Sequence, residues 1–350
     1  MDNKFNYQNI AATKVLENLY SGKFIASILG AVPNSGKSTI SMICLNRYIQ
    51  KNPNAQVVVL THGQNLLKTQ YLQELEKPNI RIDFTFGTFL DDAQVLVGIP
   101  QSLKKLKSRK IDLLVIDEAH QYYQARTVQN FIINNKIKHI ILLTGSIAKF
   151  NLHNQINPSK FGIHYISGSE LEGFGIFNKI NMDLIVTSSP SIGEQIKLAL
   201  KKLEDKNANK SKIMIAVKNI SDAKLAQSYL AVIGRKVSLS TSENDSENIE
   251  IEKFKEGLTN TLIVVNRGVL GYSDNMITSL IDLRESPDLE CAFQLMARIL
   301  RKHPQDITKI YLRLSKKNND GVVFLNKMLS LFRKDIYSKF NGNNLDVDFN

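Results

Sequence analysis

Residues 30–39 read Gly-Ala-Val-Pro-Asn-Ser-Gly-Lys-Ser-Thr, directly after the apolar run 24–29. Counted from Ala31 the spacing is A-x-x-x-x-G-K-S, one residue type away from the strict P-loop pattern. A buried strand feeding such a turn, followed by a helix opening on Lys37-Ser38-Thr39, makes a cradle for nucleotide phosphates. Successive backbone N–H groups point into the turn, and the helix N-terminus adds partial positive charge. Lys37 then reaches the β- and γ-phosphates, and the Ser38 hydroxyl sits on Mg²⁺. Apolar residues at 40, 42, 43, 45, 48 and 49 supply the helix that the turn must feed.

A second constellation lies at residues 110–120, Lys-Ile-Asp-Leu-Leu-Val-Ile-Asp-Glu-Ala-His, an apolar strand ending in two carboxylates. A parallel strand delivers its C-terminal end to the ligand crevice of an open sheet. Asp117 there can hold Mg²⁺ through water, and Glu118 can orient and deprotonate an attacking water. An acidic pair that merely caps the next helix is the competing reading. A P-loop in the same chain weighs against it.

These residues need a scaffold of strands and crossover helices. Strands are expected over 25–29, 57–61, 82–84, 95–99, 113–116 and 140–143, with helices near 38–50, 64–75, 102–106 and 127–134. Several strands are continuous apolar runs, which fits a parallel sheet covered on both faces. A glycine-containing region, 151–177, precedes a strand at 182–186 and a linker at 187–191. The second half repeats the style. Helices are expected near 193–203, 222–233, 249–255, 289–300 and 322–337, and strands at 212–217, 236–239, 261–265, 279–282 and 309–314. The expectation is therefore an α/β chain with domains at 1–187 and 188–340 and a polar tail at 341–350. Each domain has a mostly parallel sheet flanked by helices, with the P-loop in the first.

Asp117-Glu118-Ala119-His120 is a DEAH box, and with the P-loop it resembles the superfamily 2 helicases and translocases, especially restriction-type and phage repair motors. The resemblance extends in order along residues 5 to 301. Phe5-Asn6-Tyr7-Gln8 is similar to the aromatic-glutamine adenine motif, which implies that Gln8 reads the base edge. Residues 60–64 with Gln70 resemble motif Ia, and residues 97–103, Val-Gly-Ile-Pro-Gln-Ser-Leu, resemble the strand-loop element that follows it. Leu143-Thr144-Gly145-Ser146 stands where motif III does, and residues 213–217 with Lys218 stand where motif IV does. Residues 261–271 resemble motif V, and residues 294–301, Gln-Leu-Met-Ala-Arg-Ile-Leu-Arg, resemble the Q-x-x-G-R-x-x-R of motif VI. The resemblance implies two tandem RecA-like domains and an ATP site completed by Gln294, Arg298 and Arg301. With the two arginines at i, i+3 on one helix face, both would act as arginine fingers. It also implies nucleic-acid contacts at Thr61, Gln101, Ser102 and Lys218. The chain departs from the pattern at Ala31, Ala297 and Ile147, and residues 271–274 are one residue longer than the usual glycine-x-aspartate.

Composition bounds the rest. A chain of 350 residues suggests about two domains, and 43% hydrophobic residues suffice for a core in each. No run approaches roughly 18 apolar residues, so no membrane partner is expected. The start, Met-Asp-Asn-Lys-Phe-Asn-Tyr-Gln, lacks a basic-then-apolar leader pattern. Two cysteines, Cys44 and Cys291, fall in separate expected helices, which suggests neither a disulfide framework nor a zinc site. A cytoplasmic setting is the expectation, the host cytoplasm for a phage-encoded chain. The net charge of +12 draws the protein to polyanions. Together these imply an ATP- and Mg²⁺-dependent motor whose partner is nucleic acid, DNA before RNA. An RNA helicase of the same superfamily is the enzymatic alternative, and an ATP-dependent DNA clamp or protein-remodelling switch the alternative from another class. A metabolic P-loop kinase is disfavoured by the 294–301 segment.

Overall fold

The computed structural model describes residues 6–61, 86–89, 92–106, 109–145, 158–208, 212–241, 243, 245, 248–265, 274–285 and 288–333. The chain divides into two compact units at Gly168/Ser169. The first runs α1 (Asn6–Tyr20), β1 (Ala26–Ala31), α2 (Lys37–Lys51), β2 (Val57–Leu60), β3 (Phe86–Thr88), β4 (Val95–Gly98) and a 3-10 helix (Pro100–Leu106). It continues with β5 (Leu113–Ile116), α3 (Ala119–Tyr122), α4 (Arg126–Asn134), β6 (His139–Thr144) and β7 (Phe161–Ile166).

The strands form one sheet in the order β3-β4-β2-β5-β6-β1-β7, parallel at every pairing. Strands β1, β2 and β5 are buried at every residue, which is why they read as unbroken apolar runs rather than alternating ones. Because β6 lies between β5 and β1, the turn after β1 and the acidic pair after β5 open on the same edge, one strand apart. One face of the sheet packs Ile28, Val58, Leu60, Leu96, Leu114, Ile116 and Leu142 against Leu103, Leu106, Val128 and Phe131.

The segment expected as a helix at 102–106 is a 3-10 helix that begins at Pro100. Its geometry explains its sequence: with three residues per turn, side chains at i and i+3 eclipse. Pro100, Leu103 and Leu106 are all buried, while Gln101, Lys104 and Lys105 are exposed. Helix α1 and strand β7 had no counterpart in the sequence-based expectations. The helix expected at 64–75, the strand expected at 82–84 and the tail at 341–350 lie outside the described residues.

The second unit comprises α5 (Gly168–Gly173), β8 (Ile180–Val186), α6 (Ile192–Asp205), β9 (Lys212–Val217), α7 (Ile220–Val232), β10 (Val237–Ser240) and α8 (Ile249–Lys255). It ends with β11 (Thr261–Val265), β12 (Ile277–Asp282), α9 (Leu289–Ala297), β13 (Lys309–Ser315) and α10 (Asn318–Phe332). Its sheet order is β10-β11-β9-β12-β13-β8, again parallel throughout. Ser191 accepts a hydrogen bond from the Glu194 N–H, and Asn219 from the Asp222 N–H, so side-chain caps start α6 and α7.

A domain boundary at 187 is not what the pairing gives. Strand β8 runs beside β13 from Ile180 to Val186 and belongs to the second sheet. Helix α9 is also shorter than expected, ending at Ala297 rather than continuing to residue 300.

Candidate nucleotide site

The P-loop leaves β1 at Ala31, and its backbone turns twice through left-handed conformations, at Asn34 (φ 65°) and Gly36 (φ 83°). Asparagine and glycine are the residues that adopt this region at least cost. The Ser35 N–H bonds the Val32 carbonyl at 3.2 Å, and the Ile40 N–H bonds the Gly36 carbonyl at 3.0 Å, starting α2. A Cβ at Gly36 would stand 2.6 Å from Nε2 of Gln8, so the end of that side chain packs against the loop. Helix α1 therefore lies with its first turn against the loop. The buried Tyr7 hydroxyl donates to the Ser35 carbonyl at 2.6 Å, and Gln8 Nε2 donates to the Tyr7 oxygen at 3.2 Å. Gln8, expected at the base edge, is thus held beside the phosphate loop.

Lys37 opens α2, and its Nζ donates to the Ala31 carbonyl at 3.2 Å. A Cβ built on Gly145 would sit 3.6 Å from that Nζ and 3.6 Å from Cγ of Pro33. The end of β6 thus meets the lysine and the loop. Ser38 and Thr39 follow Lys37 in the first turn of α2, both half-buried. The Ser35 hydroxyl is buried without a hydrogen-bond partner among the described residues, an orphaned polar group in the loop. Such a cradle fits a phosphate.

Asp117 follows β5 and is only 8% exposed. Its N–H bonds the Leu60 carbonyl at 2.8 Å, and its Oδ1 accepts the Glu118 N–H at 2.9 Å. Burial pushes the Asp117 carboxyl up to about 7; the Glu118 charge adds to the rise, and Lys37 and the Glu118 N–H oppose it. A buried carboxylate facing a second carboxylate is what a divalent cation would relieve, so the Asp117-Glu118 pair fits Mg²⁺. Glu118 has a left-handed backbone (φ 47°, ψ 45°) immediately before α3, uncommon for a residue with a side chain. His120 links this turn to β6: its Nδ1 lies 3.0 Å from the Thr144 hydroxyl and 3.5 Å from Glu118 Oε2. The DEAH turn, the P-loop lysine and the Thr144-Gly145 end of β6 form one connected group.

Residues 3–149 match the family described as type III restriction enzyme, res subunit. The match lies within the first unit and spans less than half of the chain. No curated protein matches the sequence. Among solved structures, the chain is similar to a point variant of yeast (S. cerevisiae) Dbp5 bound to RNA and ADP BeF3, with a TM-score of 0.61 at 15% identity, covering 94% of this chain and 90% of that one. It is also similar to the Pyrococcus furiosus Hef helicase domain, with a TM-score of 0.57 at 12% identity and coverage of 92% and 97%. A DEAD box protein from Methanococcus jannaschii gives 0.54 at 16% identity, with coverage of 93% and 92%. At such identities the likeness carries the fold, and the two sheets are tandem RecA-like domains.

The expected residues of the second unit fare differently from those of the first. Gln294 lies on α9 and is half-buried. Arg298 and Arg301 do not share a helix face. The N–H groups of Arg298, Ile299 and Leu300 bond carbonyls three residues back, at 3.0, 3.1 and 3.4 Å, so the chain tightens out of α-helical geometry before Arg301. Arg301 is exposed and forms an antiparallel bridge with Phe177. Of the expected strand contacts, Gln101 and Lys218 are exposed and Ser102 is half-buried. Thr61 is only 3% exposed, its N–H on the Gly98 carbonyl at 2.9 Å. It therefore steadies the β2–β4 edge and presents no surface to a strand. Residues 62–70 and 266–273, in motifs Ia and V, lie outside the described residues. Residue-type reasoning gave no role to Tyr7, His120 or Thr144, because each acts through another group rather than on a ligand. The tyrosine before Gln8 and the threonine at a strand end were the only signals.

Proposed function

We propose that this protein is a nucleic-acid-dependent ATPase of the helicase or translocase type, coupling ATP hydrolysis to movement on, or unwinding of, DNA. The observation that carries the reading is the connected group in the first unit. Lys37 and Gly145 meet beside the P-loop, and His120 ties the Asp117-Glu118 turn to Thr144 at the same strand end. Residues 33–39 hold the phosphates, with Lys37 on the terminal ones and Gln8 toward the base. Mg²⁺, held by Ser38 and Asp117, would draw charge from the transferring phosphoryl group. Glu118 orients the attacking water and takes its proton. Gln294, Arg298 and Arg301 are proposed to supply donors and positive charge that hydrolysis needs.

The 3-10 helix supports the nucleic-acid part. It exposes Gln101, Lys104 and Lys105 at the C-terminal end of β4 while Leu103 and Leu106 anchor it. Lys218, exposed just after β9, plays the corresponding part in the second unit. Dbp5, bound to RNA in its structure, favours RNA as the second reading. ATPase rates measured with single-stranded, duplex and forked DNA, and with the same forms of RNA, separate these cases. The expected result is strong stimulation by DNA, and at least a hundredfold loss of turnover in Glu118→Gln with nucleotide binding retained, within the range known for a lost general base. Stimulation by RNA alone would select the second reading. A rate indifferent to every nucleic acid would leave a clamp or remodelling switch.

A further inference from the structure

A buried ionic network joins the end of β12 to β13 and to Phe324 of α10, away from any residue given a role above. Asp282, the last residue of β12, is fully buried, and Arg284 two residues on is only 7% exposed. The Arg284 Nε and Nη2 each donate to a different Asp282 oxygen at 2.8 Å, a bidentate pair. The Tyr311 hydroxyl of β13 donates to the same carboxylate at 3.1 Å. Arg313, two residues farther along β13 and 5% exposed, donates to the carbonyls of Arg284 at 3.5 Å and Glu285 at 3.3 Å. Its guanidinium also lies 3.7 Å from the ring centroid of Phe324 on α10.

Two buried guanidiniums and one carboxylate are an expensive way to hold a fold together, since desolvation offsets most of what such pairs return. What a planar fork does supply is direction, because it fixes the groups it grips in two dimensions. Here the gripped groups are the last residues of β12 and the first carbonyls of the connection into α9. That helix then starts on Asp288, whose Oδ1 accepts the Cys291 N–H at 3.1 Å and whose carbonyl accepts the Ala292 N–H at 2.9 Å. Gln294 follows one turn later, and Arg298 sits in the tightening turn at the helix end.

We infer that Arg313 is a positioning residue for hydrolysis: clamped between Phe324 and the carbonyls of Arg284 and Glu285, it sets the line of α9, which carries Gln294 and leads into the turn that holds Arg298. The inference rests on the role proposed above for Arg298. A lysine at 313 keeps the charge and loses both the fork and the flat face that stacks on Phe324. A displacement of about 1 Å at a reacting group can cost up to about a hundredfold in rate.

The test is a double-mutant cycle on nucleic-acid-stimulated ATP hydrolysis with Arg313→Lys, Arg298→Ala and the pair together. The expected result is a fall in kcat of about tenfold or more for Arg313→Lys, with KM for ATP unchanged. The double variant should then be no slower than Arg298→Ala alone, because the clamp acts only through the residue already removed. An unchanged kcat in Arg313→Lys, or effects that multiply in the double variant, would overturn the positioning role. An unchanged kcat in Arg298→Ala would overturn the Arg298 assignment itself, a separate outcome. Phe324→Leu, which keeps apolar bulk and removes the stacking face, provides a second variant expected to lower kcat in the same KM-neutral way.

Discussion

Burial holds the Asp117 proton until about pH 7, whereas an unfolded chain releases it near 3.8. The folded state therefore binds this proton more tightly than the unfolded state does. The sign follows: the stability tied to this group is fully present below about pH 4 and is lost as pH rises through about 7. Asp117→Asn keeps the shape without the charge. In the absence of Mg²⁺ and nucleotide, its unfolding midpoint should exceed that of the unsubstituted protein increasingly from about pH 4 to about pH 7.5. Thermal unfolding of both proteins across that range checks it, and parallel curves would show that the carboxyl is solvated rather than buried. The same substitution should leave a P-loop that binds nucleotide poorly in Mg²⁺, since the gain in stability comes from removing the ligand. A group costly to the empty protein and useful to the loaded one is the usual signature of a functional carboxylate.

Gly162 joins two of the elements that hold the site. A Cβ at that position in β7 would lie 2.5 Å from the Asn18 Cβ of α1 and 2.7 Å from the Phe24 ring. Helix α1 can therefore lie on β7 only over a bare backbone, and its far end then delivers Tyr7 to the Ser35 carbonyl. Gly162→Ala should cost about 1–3 kcal/mol, read as a lower denaturation midpoint, with nucleotide affinity weakened as α1 shifts. A neutral substitution would mean that α1 sits looser on the sheet than these distances require. The same glycine explains why β7 escaped the sequence reading, for Phe-Gly-Ile-His-Tyr-Ile has neither a clean apolar run nor clean alternation. Helix α1 escaped because Asn6, Gln8, Asn9 and Thr13 interrupt its apolar spacing. Strands β5 and β11, by contrast, have the bounds their apolar runs indicate. The P-loop and the DEAH turn were legible because their chemistry fixes residue type and spacing together. The end of α9 was not, because the periodic apolar residues Leu295, Met296, Ile299 and Leu300 stay buried whether the turn is α-helical or tighter.

Over the whole molecule, the charge of +12 and the exposed Gln101, Lys104, Lys105 and Lys218 make a quantitative claim about salt. The nucleic-acid concentration needed for half-maximal ATPase stimulation should rise steeply as salt is added. The logarithmic slope should be about 0.7–0.9 per phosphate neutralised, and lower by about one step for each of Lys104→Glu and Lys105→Glu. A slope near zero would mean that charge does not hold the strand. Architecture at this scale also bears on how the chain is made. In the second sheet the first strand of the unit, β8, has β13 as its neighbour, and β13 is the last of that sheet's described strands to be synthesised. At ribosomal speeds of about 5–20 residues per second, the stretch between Val186 and Lys309 takes roughly 6–25 seconds to appear. Throughout that interval a nascent β8 has finished emerging and its eventual neighbour does not yet exist. Its sequence suits the wait: Ile180, Asn181, Met182 and Asp183 mix polar with apolar residues, and only Leu184 and Ile185 are buried in the finished sheet. The strand that must stay unpaired longest during translation thus offers a wrong partner a continuous apolar run of only Leu184, Ile185 and Val186.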